Sequence, residues 1–152
     1  MFDLYKPEVV VLQCGADAIV GDPLGGSNLI PDDLINCINF VLNYQLPCLL
    51  LGGGGYHFTN SSRYWCAVTA SICQETLSDD IPADDEDFLQ YGPDYSVTIK
   101  KEKFLKDLNT EENLDKQCRI IEGNGFAALN INSLNNHCLF PDNLKYYKVQ
   151  AI

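Results

Sequence analysis

The sequence predicts an α/β fold built on a parallel sheet, and three observations carry that expectation. Residues 8–13 and 47–51 are short, nearly continuous apolar runs, as strands covered on both faces are. Between them, apolar residues recur at helical spacing. Glycine-rich or polar stretches close each run. Strand, helix and strand in this order form a βαβ unit, which implies a right-handed crossover and parallel pairing, with the sheet lying between helices.

The first strand is Glu8-Val9-Val10-Val11-Leu12-Gln13, rich in β-branched residues, and it ends in Cys14-Gly15-Ala16-Asp17. A loop rich in Gly, Pro and Asn follows over residues 21–31. Leu34, Ile35, Ile38, Val41 and Leu42 then mark a helix, with Pro31 in its first turn and Asp32 and Asp33 at its positive dipole end. The second strand, Pro47-Cys48-Leu49-Leu50-Leu51, is stopped by four glycines. A second helix starts near Thr59 or Asn60, either of which can cap it, and buries Trp65, Val68 and Ile72 before fading ahead of Pro82. Residues 79–87 hold six acids and read as a solvated loop. Tyr91-Gly92-Pro93-Asp94-Tyr95 makes a turn, and an edge strand is expected over 96–99. Residues 101–119 suit a charged helix, whereas the Asn-rich stretch 124–143 shows no assignable period. The chain contains no internal repeat. The organisation expected is residues 1–100 as part of one domain and 101–152 as a divergent tail.

A length of 152 residues fits one domain or a piece of a larger one. A hydrophobic fraction of 46% supports a packed core. The net charge of -11 repels phosphate backbones, which argues against direct nucleic-acid binding and favours basic partners such as lysine-rich peptides. The seven cysteines include no C-x-x-C pair, and several lie inside apolar runs; they are expected to be buried free thiols of a reducing compartment. No signal peptide opens the chain and no apolar run is long enough to span a bilayer, so an intracellular, membrane-free location is expected.

Ligands of open α/β sheets gather at the carboxyl ends of parallel strands. One such end presents Asp17 and the other Gly52-Gly53-Gly54-Gly55-Tyr56. A carboxylate there can ligate a metal, a phenol can donate a hydrogen bond, and glycines leave room for a substrate against the backbone. Each has a plainer alternative: Asp17 as a turn residue or helix cap, Tyr56 as a packing aromatic, and the glycines as a phosphate cradle. The phosphate alternative lacks the third glycine of G-x-G-x-x-G and the Lys-Ser or Lys-Thr of a P-loop. On residue chemistry alone, the function stays open.

Leu12-Gln13-Cys14-Gly15-Ala16-Asp17, Gly21-Asp22-Pro23, Asn28-Leu29 and Leu49-Leu50-Leu51-Gly52-Gly53-Gly54-Gly55-Tyr56 resemble successive signatures of class I histone deacetylases. Asn60, Arg63 and Trp65 match the family's N-x-x-R-x-W run, and Tyr91-Gly92-Pro93-Asp94-Tyr95 its later Y-G-P-D-Y. The resemblance covers Tyr5 to Tyr95, and the Gly-Asp-Pro triplet is most similar to the histone deacetylase eight branch. It implies a three-layer arginase/deacetylase-type fold and zinc-dependent hydrolysis of acetyl-lysine, in histone tails and other peptides, to lysine and acetate. It further implies Asp17 as a zinc ligand and Tyr56 as the residue that hydrogen-bonds the substrate carbonyl and steadies the oxyanion. Gly54 would wall the acetyl-lysine tunnel, with Pro23 and Leu24 at its mouth. A nuclear or cytoplasmic chromatin regulator is the expected setting.

Two departures accompany the match. The family's Asp-x-His ligand pair, tandem histidines and potassium-binding loops belong to an upstream half, and this chain has only His57 and His137. Pro23 also stands where co-repressor-bound members carry the arginine that holds an inositol phosphate, so that regulator is not expected. The chain is therefore read as a segment of a deacetylase that is inactive alone, or as a non-catalytic binding or structural piece.

Overall fold

The computed structural model describes residues 2–134, so His137, Cys138 and the end of the Asn-rich stretch lie outside the described residues. The chain falls into two compact units, Glu8–Lys106 and Met1–Pro7 with Asp107–Ile152.

In the unit Glu8–Lys106, the strands β1 (Val10–Gln13) and β2 (Cys48–Leu51) pair in parallel, with Val10 opposite Cys48 and Gln13 opposite Leu51. The helix α2 (Pro31–Leu42) forms the crossover between them. Pro31 opens α2, and the Asp33 carboxylate accepts from the Ile30 N–H at 3.0 Å while Asp33 N–H donates back to the Ile30 carbonyl. The helix α3 (Phe58–Cys73) follows the glycine run. Its cap is His57, not Thr59 or Asn60: the ring Nδ1 faces the Asn60 N–H at 3.3 Å, and the Thr59 hydroxyl lies 3.2 Å from the same nitrogen. A ring nitrogen can satisfy an orphan N–H as a carboxylate does, although His is not a preferred cap.

The core gathers Cys14, Ala16, Ile19, Val20, Ile38, Tyr64, Val68 and Ile99, with Leu12, Leu50 and Trp65 packed against it. Within α3, Tyr64 and Val68 point inward; Ile72, expected in that stripe, is exposed near the C-terminal end. The strands were expected to be covered on both faces, but they alternate between half-buried and exposed residues. Leu12 and Leu50 face the helices, whereas Val11, Leu49 and Leu51 stay between 43% and 56% exposed. No helix among the described residues of this unit covers that second face. The thiols differ from expectation as well: among the described residues only Cys14 is buried, Cys48 is half-buried, and Cys37, Cys66, Cys73 and Cys118 are exposed.

Tyr64 is fully buried, and its hydroxyl has no partner among the described residues. Burial pushes its pKa from 10 up to about 12, and the Cys14 and Cys37 thiols add to the rise. An unsatisfied buried hydroxyl costs about 1–3 kcal/mol, so Tyr64→Phe is expected to stabilise the unit by about 1 kcal/mol. Limited proteolysis at neutral pH should then slow roughly fivefold, because cleavage follows the open population. Since the folded pKa is raised, the unfolded chain ionises first. The tyrosine's contribution is therefore complete below pH 10 and is lost as the pH climbs toward 12, a loss that the Phe variant escapes.

The edge strand expected over 96–99 does not form; an isolated antiparallel bridge joins Asp80 to Ser96. The Asp79 carboxylate accepts from the Ser96 hydroxyl and from both the N–H and the hydroxyl of Thr98, all within 2.9 Å. Side-chain bonds of this kind compete with a strand ladder for the same backbone. The acidic stretch 79–87 is otherwise exposed apart from Ile81, and Phe88 just after it is half-buried. Residues 101–110 are not helical either. Asn28 holds both the N–H and the carbonyl of Glu102, and Lys101 Nζ lies 2.9 Å from the Asp33 carboxylate.

In the other unit, the one-turn helix α1 (Phe2–Tyr5) lies against the helix α4 (Glu111–Leu134). Thr110 caps α4 through its hydroxyl, which accepts from the Asn113 N–H, and Glu111 and Glu112 suit the first turn. The helix thus begins ten residues later than expected and continues through Asn124, where no period was assigned.

Candidate functional site

The parallel register ends both strands at the same level, so the segments after Gln13 and Leu51 leave the sheet side by side. Cys14 N–H extends the ladder to the Leu51 carbonyl at 2.9 Å, and Ala16 N–H reaches the Gly54 carbonyl. These bonds seat the 3-10 turn Ala16–Ala18 against the glycine run. Asp17 is on that turn and is exposed. A Cβ added to Gly54 would lie 2.6 Å from Asp17 Oδ2 and 2.7 Å from its Cγ, so this approach of backbone to carboxylate requires glycine.

Tyr56 follows at the end of the run with its side chain 51% exposed. Its phenol makes no hydrogen bond to Asp17 among the described residues; its main chain is what is fixed. Tyr56 N–H donates to Asp22 Oδ2 at 2.7 Å, while Asp22 Oδ1 accepts from Leu24 N–H at 2.8 Å and Gly25 N–H at 2.9 Å. Pro23 and Leu24 sit exposed on this tight loop. The structure therefore brings Asp17 to Gly54, and Pro23 and Leu24 to the main chain of Tyr56.

Asp22, in sequence only the middle of the Gly21-Asp22-Pro23 triplet, is the residue that joins these segments. It is 7% exposed and is the one buried charged side chain among the described residues. Burial pushes its carboxyl up, but the N–H groups of Tyr56, Leu24, Gly25 and His57 outweigh that and hold its pKa below the usual value. An aspartate before Pro in a Gly-rich loop is a signal for the local turn. The bond to Tyr56, 34 residues away, has no such signal.

Two further clasps set the rim. Asn60 Nδ2 donates to the Val20 carbonyl at 2.9 Å, tying the start of α3 to the Asp22 loop. Arg63 donates from Nε to the Ser96 carbonyl and from Nη2 to the Tyr91 carbonyl, both at 2.8 Å, and lies over the Tyr91 ring.

Among the described residues, no group of three or more His, Cys, Asp or Glu converges to hold a metal ion. A catalytic zinc takes about three protein ligands, so Asp17 by itself does not fit that group. No helix among the described residues is long and apolar enough to cross a membrane.

Residues 1–72 match the family model described as Histone deacetylase domain. The chain is 44% identical over 124 residues to Histone deacetylase 8 of Xenopus laevis, an alignment covering 82% of this chain and 38% of that protein. It is 42% identical over 121 residues to Histone deacetylase 8 of Danio rerio, covering 80% of this chain and 32% of the relative. Histone deacetylase RPD3 of Saccharomyces cerevisiae is 39% identical over 116 residues, covering 76% of this chain and 26% of that protein. The chain thus spans between a quarter and two fifths of the length of these relatives. An alignment of 124 residues is longer than the span Tyr5 to Tyr95, so the similarity runs past the point where it was expected to stop. The signatures along the chain, the domain match and these identities agree: the chain belongs to the histone deacetylase family, whose named members are hydrolases.

Proposed function

We propose that the chain is a segment of a zinc-dependent lysine deacetylase with the three-layer fold of that family, acting on acetylated lysine peptides such as histone tails. In this reading Asp17 is one zinc ligand, Tyr56 donates to the substrate carbonyl, Gly54 walls the acetyl-lysine tunnel, and Pro23 and Leu24 line its mouth. The observation that supports it best is the seating of Asp17 against Gly54 at the ends of two parallel strands, where such folds bind ligands. The other zinc donors come from outside the described residues. Nuclear or cytoplasmic residence accompanies this reading, with no role for direct nucleic-acid contact and none for an inositol phosphate at Pro23.

A second reading, a non-catalytic piece, has one observation in its favour: among the described residues no three His, Cys, Asp or Glu side chains converge to hold a metal ion. Zinc titration separates the two levels. The 152-residue chain is expected to bind zinc only weakly and to release no acetate. In a full-length active protein that contains it, Asp17→Ala is expected to lower zinc content sharply at unchanged expression. Unaltered metal content there would remove Asp17 from the ligand set, and tight one-to-one binding with turnover by the bare chain would show that its own residues complete the site.

A further inference from the structure

We infer that Asp22 is a positioning residue: its buried carboxylate joins the main chain of Tyr56 to the loop bearing Pro23 and Leu24, holding the phenol and the tunnel mouth as one unit. This rests on the roles proposed above for Tyr56 and Leu24.

The carboxylate divides its two oxygens between two tasks. Oδ1 closes the local loop on Leu24 and Gly25, and Oδ2 spans to Tyr56. The local task alone needs no charge, because a Ser or Asn side chain can also accept an N–H two residues on. A buried carboxylate is costly unless compensated, and among the described residues no Lys or Arg forms an ion pair with Asp22. Backbone N–H groups from two separate segments supply the compensation. The second oxygen, on the distant segment, is the part that a simple turn leaves unexplained.

The surroundings make the unit stiff. Asp22 N–H donates to the Ile19 carbonyl at 3.2 Å, and Asn60 secures the neighbouring Val20 carbonyl. At Gly25 a Cβ would fall 2.0 Å from the Asp17 carbonyl oxygen, so the loop folds back onto the Asp17 segment with no room for a side chain. A shift at Asp22 therefore moves the main chain of Tyr56 and the Leu24 loop together. Misplacing a catalytic group by about 1 Å can cost on the order of 100-fold in rate.

The test is a mutant cycle in a full-length, zinc-loaded deacetylase containing this chain, assayed on an acetyl-lysine peptide. Asp22→Ser keeps an oxygen for the local turn but cannot span to Tyr56, and Asp22→Asn turns an N–H₂ toward one of its donors. Each is expected to lower kcat about 10-fold or more and to raise KM, with zinc content unchanged. Added to Tyr56→Phe, Asp22→Ser should change kcat by less than about twofold, because the group it positions is already gone. Equal loss in both backgrounds, or wild-type kcat for Asp22→Ser, overturns the inference while leaving the role of Tyr56 intact. A Tyr56→Phe enzyme as fast as its parent overturns both. Should the Asp22 variants not fold, amide exchange in the unaltered enzyme decides: a protected Tyr56 N–H supports the span, and an unprotected one overturns it.

Discussion

Tyr56→Phe in an active enzyme containing this chain is expected to slow deacetylation by about 10²–10³-fold while leaving its metal in place. The reasoning starts from what holds Tyr56. Its main-chain N–H is bound to Asp22, and its ring is half exposed, so removing the hydroxyl disturbs neither the glycine run nor the loop it meets. On the role proposed for Tyr56, what disappears is a donor aimed at charge that develops on the substrate carbonyl oxygen during attack. Such a donor acts mainly on the transition state, so the loss belongs in kcat more than in KM. Single-turnover kinetics on an acetyl-lysine peptide, with metal content measured on the same sample, is the check. A change of less than about threefold would take the oxyanion role away from Tyr56.

The second large effect concerns the 152-residue chain by itself, which is expected to self-associate instead of remaining a 17.0 kDa monomer. Among the described residues the sheet has two strands, each with an unpaired edge, and a two-stranded sheet is marginal in water. Val9, Val11, Leu49 and Leu51 leave one face apolar and exposed. Burying a Val or Leu side chain is worth roughly 1.5–3 kcal/mol, against a stability margin of about 5–15 kcal/mol for a whole domain. These four are about half exposed, so covering the remainder is worth about 3–6 kcal/mol, which is enough to favour association. The net charge of -11 slows precipitation without covering the face. Size-exclusion chromatography should show oligomers, and the double variant Val11→Lys with Leu49→Lys should elute closer to a monomer. A compact wild-type monomer with a sharp thermal transition would show that the described residues form a self-sufficient domain.

The parts of the fold legible in the sequence are those set by local pattern. The period from Leu34 to Leu42 and the prolyl start of α2 gave that helix its bounds, and the two apolar runs gave the parallel pair. Where a distant side chain takes over the backbone, local pattern fails. Asp79 captures Ser96 and Thr98 and removes a strand; Asn28 captures Glu102 and removes a helical turn. His57 caps α3 by a ring nitrogen that sequence preferences do not anticipate. At the site, Asp17 and the glycine run could be placed at neighbouring strand ends from the βαβ pattern. The span from Asp22 to Tyr56 could not, because neither residue's neighbours predict the other.

Arg63 holds the turn at residues 91–96 through carbonyl oxygens of the main chain, with Asn60 as its single side-chain hydrogen-bond partner among the described residues. A carbonyl oxygen is the same whatever side chain its residue bears. Drift at position 96 can therefore pass without any answering change at the arginine, provided the backbone path is kept. Comparative sequence statistics, which find contacts by paired substitution, would be blind to this tie even if it anchors the whole turn. Loss of the arginine would register as an isolated change with no partner, although two main-chain groups had lost their donor.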